Sequence, residues 1–285
     1  GAYVLSMIRG EHQSKGGSSP IIRFILGFFV MIGALMFLGC PIRMILRLGG
    51  GDLNALFGIA GFAGGIGFGT IFLKKGYSLQ RTYALSKLES AMMPAIQVGL
   101  LVLVVTAPAF IFFSQKGPGA MHAPWLISLA AGLVVGGLSQ FSRLCTVGGF
   151  RDLFLFKKSI LIFGYLAVLI GVFVVNISFG NFHLGFENQP IAHTDGLWNF
   201  LGMALAGFCS VLLGGCPLRQ LIMTGEGNSD SAVTVLGLAA GAAFAHNFGL
   251  AASGAGPTLN GEIAVGVGFV VAFIIAVLNT KRSNA

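Results

Sequence analysis

Eight apolar segments, each long enough to cross a lipid bilayer as a helix, dominate this chain of 285 residues. A hydrocarbon core about 30 Å thick needs about 20 apolar residues. Charged residues make up only 9% of the chain, against roughly 25% in soluble domains. The sequence therefore predicts an all-α polytopic membrane protein. The predicted spans are 20–38, 53–73, 94–114, 124–141, 159–179, 197–214, 231–251 and 262–280.

A Gly-Cys-Pro-x-Arg motif occurs twice, since Gly39-Cys40-Pro41-Ile42-Arg43 returns later in the chain as Gly215-Cys216-Pro217-Leu218-Arg219. Membrane transporters are often built from two related halves whose interrupted helices meet at a central site. The repeat therefore predicts one membrane domain made of two halves, 1–114 and 115–285. The register continues without a gap through Gly49/Gly225, Gly51/Gly227, Gly61/Gly237, Gly65/Gly241 and Phe68/Phe244.

Short segments between the spans complete each half. The partly polar segments 40–48, 145–156 and 216–224 predict half-helices or re-entrant turns, so that each half holds about four spans plus half-helices. Residues 1–9 resemble the tail of a helix. Cys145 precedes Cys216 in the second half, and the same interval counted back from Cys40 ends before the first residue of the chain. We therefore expect the N-terminal part of the first half to be missing from this sequence.

The basic residues predict the orientation. Cytoplasmic loops carry the excess of Lys and Arg, so the cytoplasmic side of an inner membrane is expected to hold the loops 74–93 and 142–158 and the C-terminus. Segment 39–52 would then lie outside and its repeat 215–228 inside. This predicts two inverted halves whose half-helices approach the membrane midplane from opposite faces. Most of the basic residues lie in 1–23, 74–93, 142–158, 215–230 and 281–285.

Cys40 and Cys216 are the first candidate site residues. Pro is favoured in the first turn of a helix, which places each cysteine at an N-cap, where unpaired N–H groups and the positive end of the helix dipole favour an anion. Arg43 and Arg219, which follow in the same motif, add positive charge. A thiol at such a place can donate a weak hydrogen bond or act as a thiolate nucleophile. The alternative is a helix break in which cysteine packs as a small apolar residue.

Other polar residues in apolar surroundings are weaker candidates. Cys145 belongs to a third Gly-rich break and is predicted to line the same pathway, with Arg151 and Asp152 as an interfacial ion pair. His246 and Asn247 interrupt an apolar span, where polar side chains usually face a cavity. Cys209 takes the position of Gly33 in the repeat, which favours a packing role. His183 and His193 are interpreted as parts of a solvated outer loop.

Several functional classes find no support. The cysteines lack metal-binding spacing, and no dinucleotide, P-loop or hydrolase motif is present. The formal charge of +8 follows the predicted cytoplasmic loops and does not indicate a nucleic-acid partner. We predict no metal, no cofactor and no enzymatic activity; the expected surroundings are a lipid bilayer.

The cysteine motifs carry a family resemblance. The two Gly-Cys-Pro-x-Arg breaks, together with the motif around Cys145 (residues 143–152), resemble the YeeE/YedE family of membrane proteins, whose characterised members import thiosulfate. Residues 117–124 and 192–199 resemble its selenium-metabolism branch. The resemblance covers essentially the whole chain. It implies an hourglass-like protein in which Cys40, Cys145 and Cys216 contact the substrate, with a soluble TusA-like sulfur carrier as a cytoplasmic partner.

The sequence thus predicts an importer for a small sulfur- or selenium-containing anion resembling thiosulfate or selenite, with a midplane pathway lined by thiols. His246 is the visible titratable candidate if transport is coupled to protons. Three alternatives remain open: a membrane enzyme forming a persulfide or selenosulfide on Cys216, a redox sensor, and a scaffold that docks a sulfurtransferase through basic loops containing Lys74, Lys75 and Arg81.

Overall fold

The computed structural model describes residues 1–107, 110, 112, 115, 123–158 and 160–280. These residues form helices connected by loops, with two short strands, which confirms the predicted all-α class. The elements are α1 (Ala2–Ile8), β1 (Lys15–Gly16), α2 (Pro20–Phe37), α3 (Pro41–Gly49), α4 (Asn54–Lys74), β2 (Tyr83–Ala84), α5 (Lys87–Thr106), α6 (Trp125–Ser142), α7 (Thr146–Phe156), α8 (Ile160–Ser178), α9 (Gly196–Leu213), α10 (Pro217–Gly225), α11 (Ser229–Asn247) and α12 (Leu259–Leu278).

Within the described residues, seven helical segments are long and apolar enough to cross a membrane. The eighth predicted span, 231–251, is helical as α11 but is not among the seven; Ala and Gly make up much of it, so it is less apolar than the other spans. The seven segments are Pro20–Gly49, Asn54–Lys74, Lys87–Thr106, Trp125–Phe156, Ile160–Ser178, Gly196–Gly225 and Leu259–Leu278.

Local signals explain most helix boundaries. The predicted half-helices are present as α3, α7 and α10, with bounds that nearly coincide with the predicted ones. In contrast, α5 begins well before the predicted span 94–114, whose last part lies largely outside the described residues. Ser86 accepts a hydrogen bond from the Glu89 N–H while the Glu89 carboxylate accepts one from the Ser86 N–H. This capping box satisfies two backbone donors and starts the helix early.

The chain forms two compact units. The smaller unit contains Gly1–Gly17, Thr82–Arg143 and Leu221–Ala232. Its two strands pair antiparallel, and Glu11 forms ion pairs with Arg9 and Arg143 at 3.1 and 3.0 Å. Its helix α5 exposes most of its apolar side chains, which suits contact with lipid.

The larger unit contains Ser18–Arg81, Leu144–Gln220 and Val233–Ala285, and all residues of the candidate site belong to it. Helix α9 lies at the centre of this unit and packs against α4 and α2. The apolar span that contains α9 is 83% buried. The outer helix α8 is, in contrast, mostly exposed and apolar. The candidate site is therefore built around a buried helix and flanked by a helix suited to lipid contact.

The repeat of the sequence is visible in the packing. Helices α2 and α3 begin and end at the positions that are equivalent, in the repeat, to the bounds of α9 and α10. A Cβ atom added to Gly61 of α4 would overlap the carbonyl group of Phe200, and one added to Gly237 of α11 would overlap that of Phe24. Phe24 and Phe200 are themselves equivalent positions of the repeat. Equivalent glycines thus allow the same close helix contact in both halves, as small residues do in membrane proteins.

Candidate functional site

Three cysteines occupy the N-cap positions of the three short helices. Cys40 precedes α3, Cys145 precedes α7 and Cys216 precedes α10. Cys40 and Cys145 have extended backbone angles, as N-cap residues usually do. Pro41 and Pro217 then start α3 and α10 with the fixed φ angle that a first helical turn needs. The N-cap positions predicted from the Cys-Pro motifs are therefore observed.

Two of these thiols lie in one buried apolar cluster. Cys145 and Cys216 both belong to it, and the two groups interact electrostatically. The Gly148 N–H donates to Cys145 Sγ at 3.3 Å. The backbone N–H groups of Arg219 and Thr146 lie near Cys216 and favour negative charge on its sulfur. The two sulfur atoms thus lie where the N-terminal ends of α7 and α10 meet, among donors that stabilise negative charge on sulfur.

Tyr165 of α8 links this thiol pair to Cys40. Its hydroxyl donates to the Pro41 carbonyl at 3.0 Å and interacts electrostatically with the thiols of both Cys40 and Cys216. Its ring makes an edge-to-face contact with Phe150 of α7. The structure therefore brings Cys40 and Cys216 near one phenol, and Cys145 lies in the same buried cluster as Tyr165 and Cys216. Sequence reasoning missed Tyr165, although a tyrosine within the apolar span 159–179 was an available signal.

The glycine and the arginine of each motif lie beside each other. Arg43 folds back over Gly39, since a Cβ added there would lie 2.8 Å from the Arg43 Cδ atom. Arg219 also lies beside Gly215, but a Cβ added there would make only an ordinary contact, 3.5 Å from Arg219 Cγ. Both arginines are half-buried. Glycine at position 39 thus leaves space for the Arg43 side chain, whereas position 215 has room for a Cβ.

Each motif arginine also keeps a donor available. Among the residues that the structure describes, Arg43 Nε and Arg219 Nη1 are buried and have no hydrogen-bond partner. Buried donors of charged groups are rarely left unsatisfied. These two atoms are therefore candidate contacts for an anion beside the cysteines.

The remaining cysteine and the other polar candidates lie elsewhere. Cys209 is fully buried in an apolar cluster separate from the one that holds Cys145 and Cys216. His246 and Asn247 are exposed at the C-terminal end of α11, where the Asn247 amide donates to the Ala243 carbonyl. Arg151 and Asp152 form the predicted ion pair, at 2.8 Å.

The interpretation of His193 as a solvated loop residue is wrong. Only 1% of His193 is exposed, and its Nε2 donates to the Met36 carbonyl at 2.8 Å. Burial lowers the pKa of His193 below its ordinary value. His183, from the same loop, is exposed as expected. Tertiary contacts with α2, which no local pattern reveals, cause the difference between the two histidines.

Among the described residues, no group of three or more His, Cys, Asp and Glu side chains is arranged so that it could hold a metal ion. The groups that do meet at the site are thiols, guanidinium groups, a phenol and helix N-termini.

The comparison with known families agrees with this chemistry. A family model for sulphur transport matches residues 141–280, which include α7 to α12 and both Cys145 and Cys216. No curated protein matches the chain. The family match, the long apolar helices and the three N-cap thiols together support a multi-pass membrane protein with a transporter-like role for a sulfur compound.

Proposed function

We propose that this chain is a membrane transporter that imports a small sulfur- or selenium-containing anion through a pathway lined by Cys40, Cys145 and Cys216. The observation that carries the proposal is that two N-cap thiols, Cys40 and Cys216, interact with Tyr165 while the third, Cys145, lies in the same buried cluster as Tyr165 and Cys216, within helices long enough to span a membrane. The match of residues 141–280 to sulphur transport supports the substrate class.

Helix ends and arginines would attract the anion. In the described part of the chain, the Cys40 side chain accepts no capping hydrogen bond, so the first N–H groups of α3 stay available to a ligand. Cys145, in contrast, caps its own helix. Cys40 is also the only one of the three that is half-exposed. These differences support an order in which the anion meets Cys40 first and the buried pair afterwards.

Passage would depend on weak contacts. A thiol donates a weaker hydrogen bond than a hydroxyl or an amide, and conduction needs several sites that each bind and release. Three thiols at successive positions meet this requirement for a sulfur or selenium atom. Arg43 and Arg219 would stabilise the charge of the anion on either side of the thiols.

Helix direction supports inverted halves. Positions 61, 65 and 69 of α4 meet residues 200, 204 and 211 of α9 in the same order, so these helices run parallel. Helix α2 is connected to α4 through the half-helix α3, and consecutive spans cross a membrane in opposite directions. It follows that α2 runs opposite to α9, its equivalent in the repeat.

With inverted halves, α3 and α10 would approach the midplane from opposite faces. The proposed cytoplasmic side of the inner membrane contains loops 74–93 and 142–158 and the C-terminus, of which 281–285 lie outside the described residues.

The proposed selenium branch and the proposed carrier partner rest on sequence resemblance. The selenium branch is suggested by residues 192–199 and by 117–124, most of which lie outside the described residues. A TusA-like carrier on the cytoplasmic side would receive the imported sulfur or selenium. The pathway role of His246 and Asn247 stays a prediction.

The thiol pair also supports a second function. A thiolate of Cys216 that attacks the outer sulfur of thiosulfate would form a Cys216 persulfide and release sulfite. Cys145, which lies in the same buried cluster as Cys216, could stabilise that intermediate. Stable addition of one sulfur atom to the Cys216 peptide after exposure to thiosulfate, detected by mass spectrometry, would favour this function over simple passage.

Uptake of radiolabelled thiosulfate and selenite by cells lacking other importers tests the main proposal. We expect Cys40→Ala, Cys145→Ala and Cys216→Ala in the full-length protein to reduce uptake to the background of empty cells. The matched control is Cys209→Ala, which changes a buried cysteine outside the site. Uptake that persists in all three site variants would reject the thiol pathway.

A further inference from the structure

His12 lies in the loop between α1 and β1 and contacts serines from three parts of the smaller unit. Its Nδ1 atom is 3.3 Å from the Ser6 Oγ atom of α1. Its Nε2 atom is 3.1 Å from Ser14 Oγ, directly before β1, and 3.2 Å from Ser90 Oγ of α5. All three serines are at most 5% exposed, and the Tyr3 ring makes an edge-to-face contact with the imidazole. One imidazole ring therefore connects α1, α5 and the loop before β1.

Each of these serine hydroxyl groups also donates its hydrogen to a backbone carbonyl. A hydroxyl group carries one hydrogen atom, so toward His12 each serine oxygen can only accept. The three bonds to carbonyls are Ser6 to Tyr3 at 2.8 Å, Ser90 to Lys87 at 3.0 Å and Ser14 to Glu226 at 3.1 Å.

These bonds determine which protonation state of His12 fits the structure. A neutral imidazole has one N–H donor and one acceptor nitrogen, whereas the imidazolium ion has two donors. Because accepting oxygens face both ring nitrogens, only the imidazolium form makes every contact. In the neutral form, one nitrogen lone pair would face a serine oxygen lone pair. Either that contact or the bond from the serine to its carbonyl would then be lost.

The carboxylates on the elements around His12 have partners of their own, so the contacts that respond to the charge of the ring are those to the serines. The remaining titratable groups on these elements are Tyr3, Lys15 and Lys87. The carboxylates are Glu11, which pairs with Arg9 and Arg143 at 3.1 and 3.0 Å, Glu89, which accepts from the Ser86 N–H, and Glu226, which accepts from the Gln140 side chain.

The contacts of His12 extend to the end of α10 through Ser14. Helix α10 begins directly after Cys216 and ends at Gly225. The Glu226 carbonyl, which accepts from Ser14, belongs to the next residue of the chain. Loss of the contact between His12 and Ser14 therefore loosens the end of a helix whose first turn is capped by Cys216.

We propose that His12 and its three serines form a latch that is operated by a proton. The protonated ring fastens α1, α5 and the end of α10 together, and loss of the proton releases them. Histidine changes charge between about pH 5 and 8, and on the proposed orientation the latch lies on the cytoplasmic side. Import therefore slows when the cytoplasm becomes acidic, because a firmly held α10 hinders release of the anion from Cys216. As control of transport, the inference rests on the proposed function; as fastening that depends on pH, it does not.

Amide hydrogen exchange of the purified full chain in detergent tests the latch without any substrate. Protection factors, which correct for the effect of pH on chemical exchange itself, are compared at about pH 5.5 and about pH 7.5. We expect residues 10–17 and 222–230 to be about tenfold better protected at the lower pH, since hydrogen bonds from a charged donor are gained. His12→Gln, which cannot become charged, should remove this difference. The matched control is His183→Gln, which changes an exposed histidine of the larger unit and should preserve it.

A second variant separates the latch from a general effect on folding. Ser14→Ala keeps the titrating ring but disconnects it from the Glu226 carbonyl. It should remove the pH dependence of protection at 222–230 while α1 and α5 stay connected through Ser6 and Ser90. An unaltered thermal midpoint at the higher pH verifies that each variant is folded.

Uptake of radiolabelled thiosulfate by membrane vesicles tests the control of transport. The internal pH is set to about 5.5 or about 7.5 while the external pH is held constant. We expect severalfold slower uptake at the lower internal pH, and no such difference in His12→Gln. Protection at 222–230 that ignores pH, or an uptake difference that persists in His12→Gln, would overturn the proposal. If the latch is seen by exchange while uptake ignores the three cysteines, only the thiol pathway fails. If uptake requires the cysteines while His12→Gln keeps the original pH dependence of protection, only this inference fails.

Discussion

Cys145 and Cys216 lie in the same buried apolar cluster and interact electrostatically, although α7, α8 and α9 separate the two residues along the chain. Both residues cap short helices. Two thiols held in one site shielded from water can react with each other more readily than with partners outside, because no encounter step is needed.

We therefore expect mild oxidation with diamide to link Cys145 to Cys216. Diamide accepts the two thiol hydrogens, and the sulfur atoms form a disulfide. Peptide mapping should find this linkage as the main product, and uptake should fall and then recover after treatment with dithiothreitol. Products that mainly contain Cys40 or Cys209 would contradict the observed pairing, and Cys209→Ala serves as the control that leaves the linkage intact.

The close helix contacts at the equivalent glycines Gly61 and Gly237 predict that a larger residue there destabilises the fold. Gly61→Ala and Gly237→Ala each place a methyl group against a backbone carbonyl of the neighbouring helix, so we expect each to lower the free energy of unfolding by about 1–3 kcal/mol. Gly99→Ala is the matched control, since nothing lies within 4 Å of its added Cβ and alanine favours the helix by up to about 1 kcal/mol. The measurement is the thermal unfolding midpoint of each variant in detergent. Equal midpoints for Gly61→Ala and Gly99→Ala would refute the packing argument.

Tyr165 is expected to act as a positioning residue for α3. Tyr165→Phe keeps the ring contact with Phe150 but removes the hydrogen bond to the Pro41 carbonyl, worth about 1 kcal/mol. The N-terminus of α3 should then be less firmly held, so that Cys40 reacts faster with maleimide and uptake falls severalfold. The exposed Tyr83 offers the comparison Tyr83→Phe. Unchanged Cys40 labelling together with unchanged uptake would show that the phenol has no such role.

His193 predicts a pH dependence of stability. Burial, the largest cause, lowers its pKa in the folded state below the ordinary value of about 6.5. Between the lowered pKa and about 6.5, the unfolded chain binds more protons than the folded chain, so stability increases with pH in this window. Lowering the pH from about 7.5 to 5.5 should therefore reduce the thermal midpoint.

His193→Gln, which keeps a donor for the Met36 carbonyl but does not titrate, should reduce this pH dependence. His183→Gln changes an exposed histidine of the same loop and should preserve it. An identical pH profile for His193→Gln and the unsubstituted protein would contradict the assignment.

Features that depend on neighbouring residues in the chain could be predicted. The bounds of α3 and α10 follow from a glycine, an N-cap cysteine and a proline in sequence, because these residues act on the backbone at their own position. The Ser86–Glu89 capping box is equally local. Because the predicted span 94–114 did not take it into account, the prediction starts this helix later than α5 starts. The membrane class follows from apolar length alone.

Features that depend on distant residues could not be predicted in this way. Cys40 and Cys216 were candidates from the repeat, yet their common neighbour Tyr165 was not, since its hydroxyl meets Pro41 only after α8 packs beside α3. The opposite environments of His183 and His193, and the saturation of Asp52 by Arg47 and Asn54, have the same origin.

The sequence by itself determined that the chain crosses a membrane as helices, that two breaks repeat at a fixed interval, and that cysteines stand at the helix starts. The tertiary structure alone decided which thiols touch, which arginine is neutralised and which histidine is buried. The physical reason is that helix propensity, capping and hydrophobicity act over a few residues or along one helix. Hydrogen bonds between side chains and burial, in contrast, depend on residues that folding brings together.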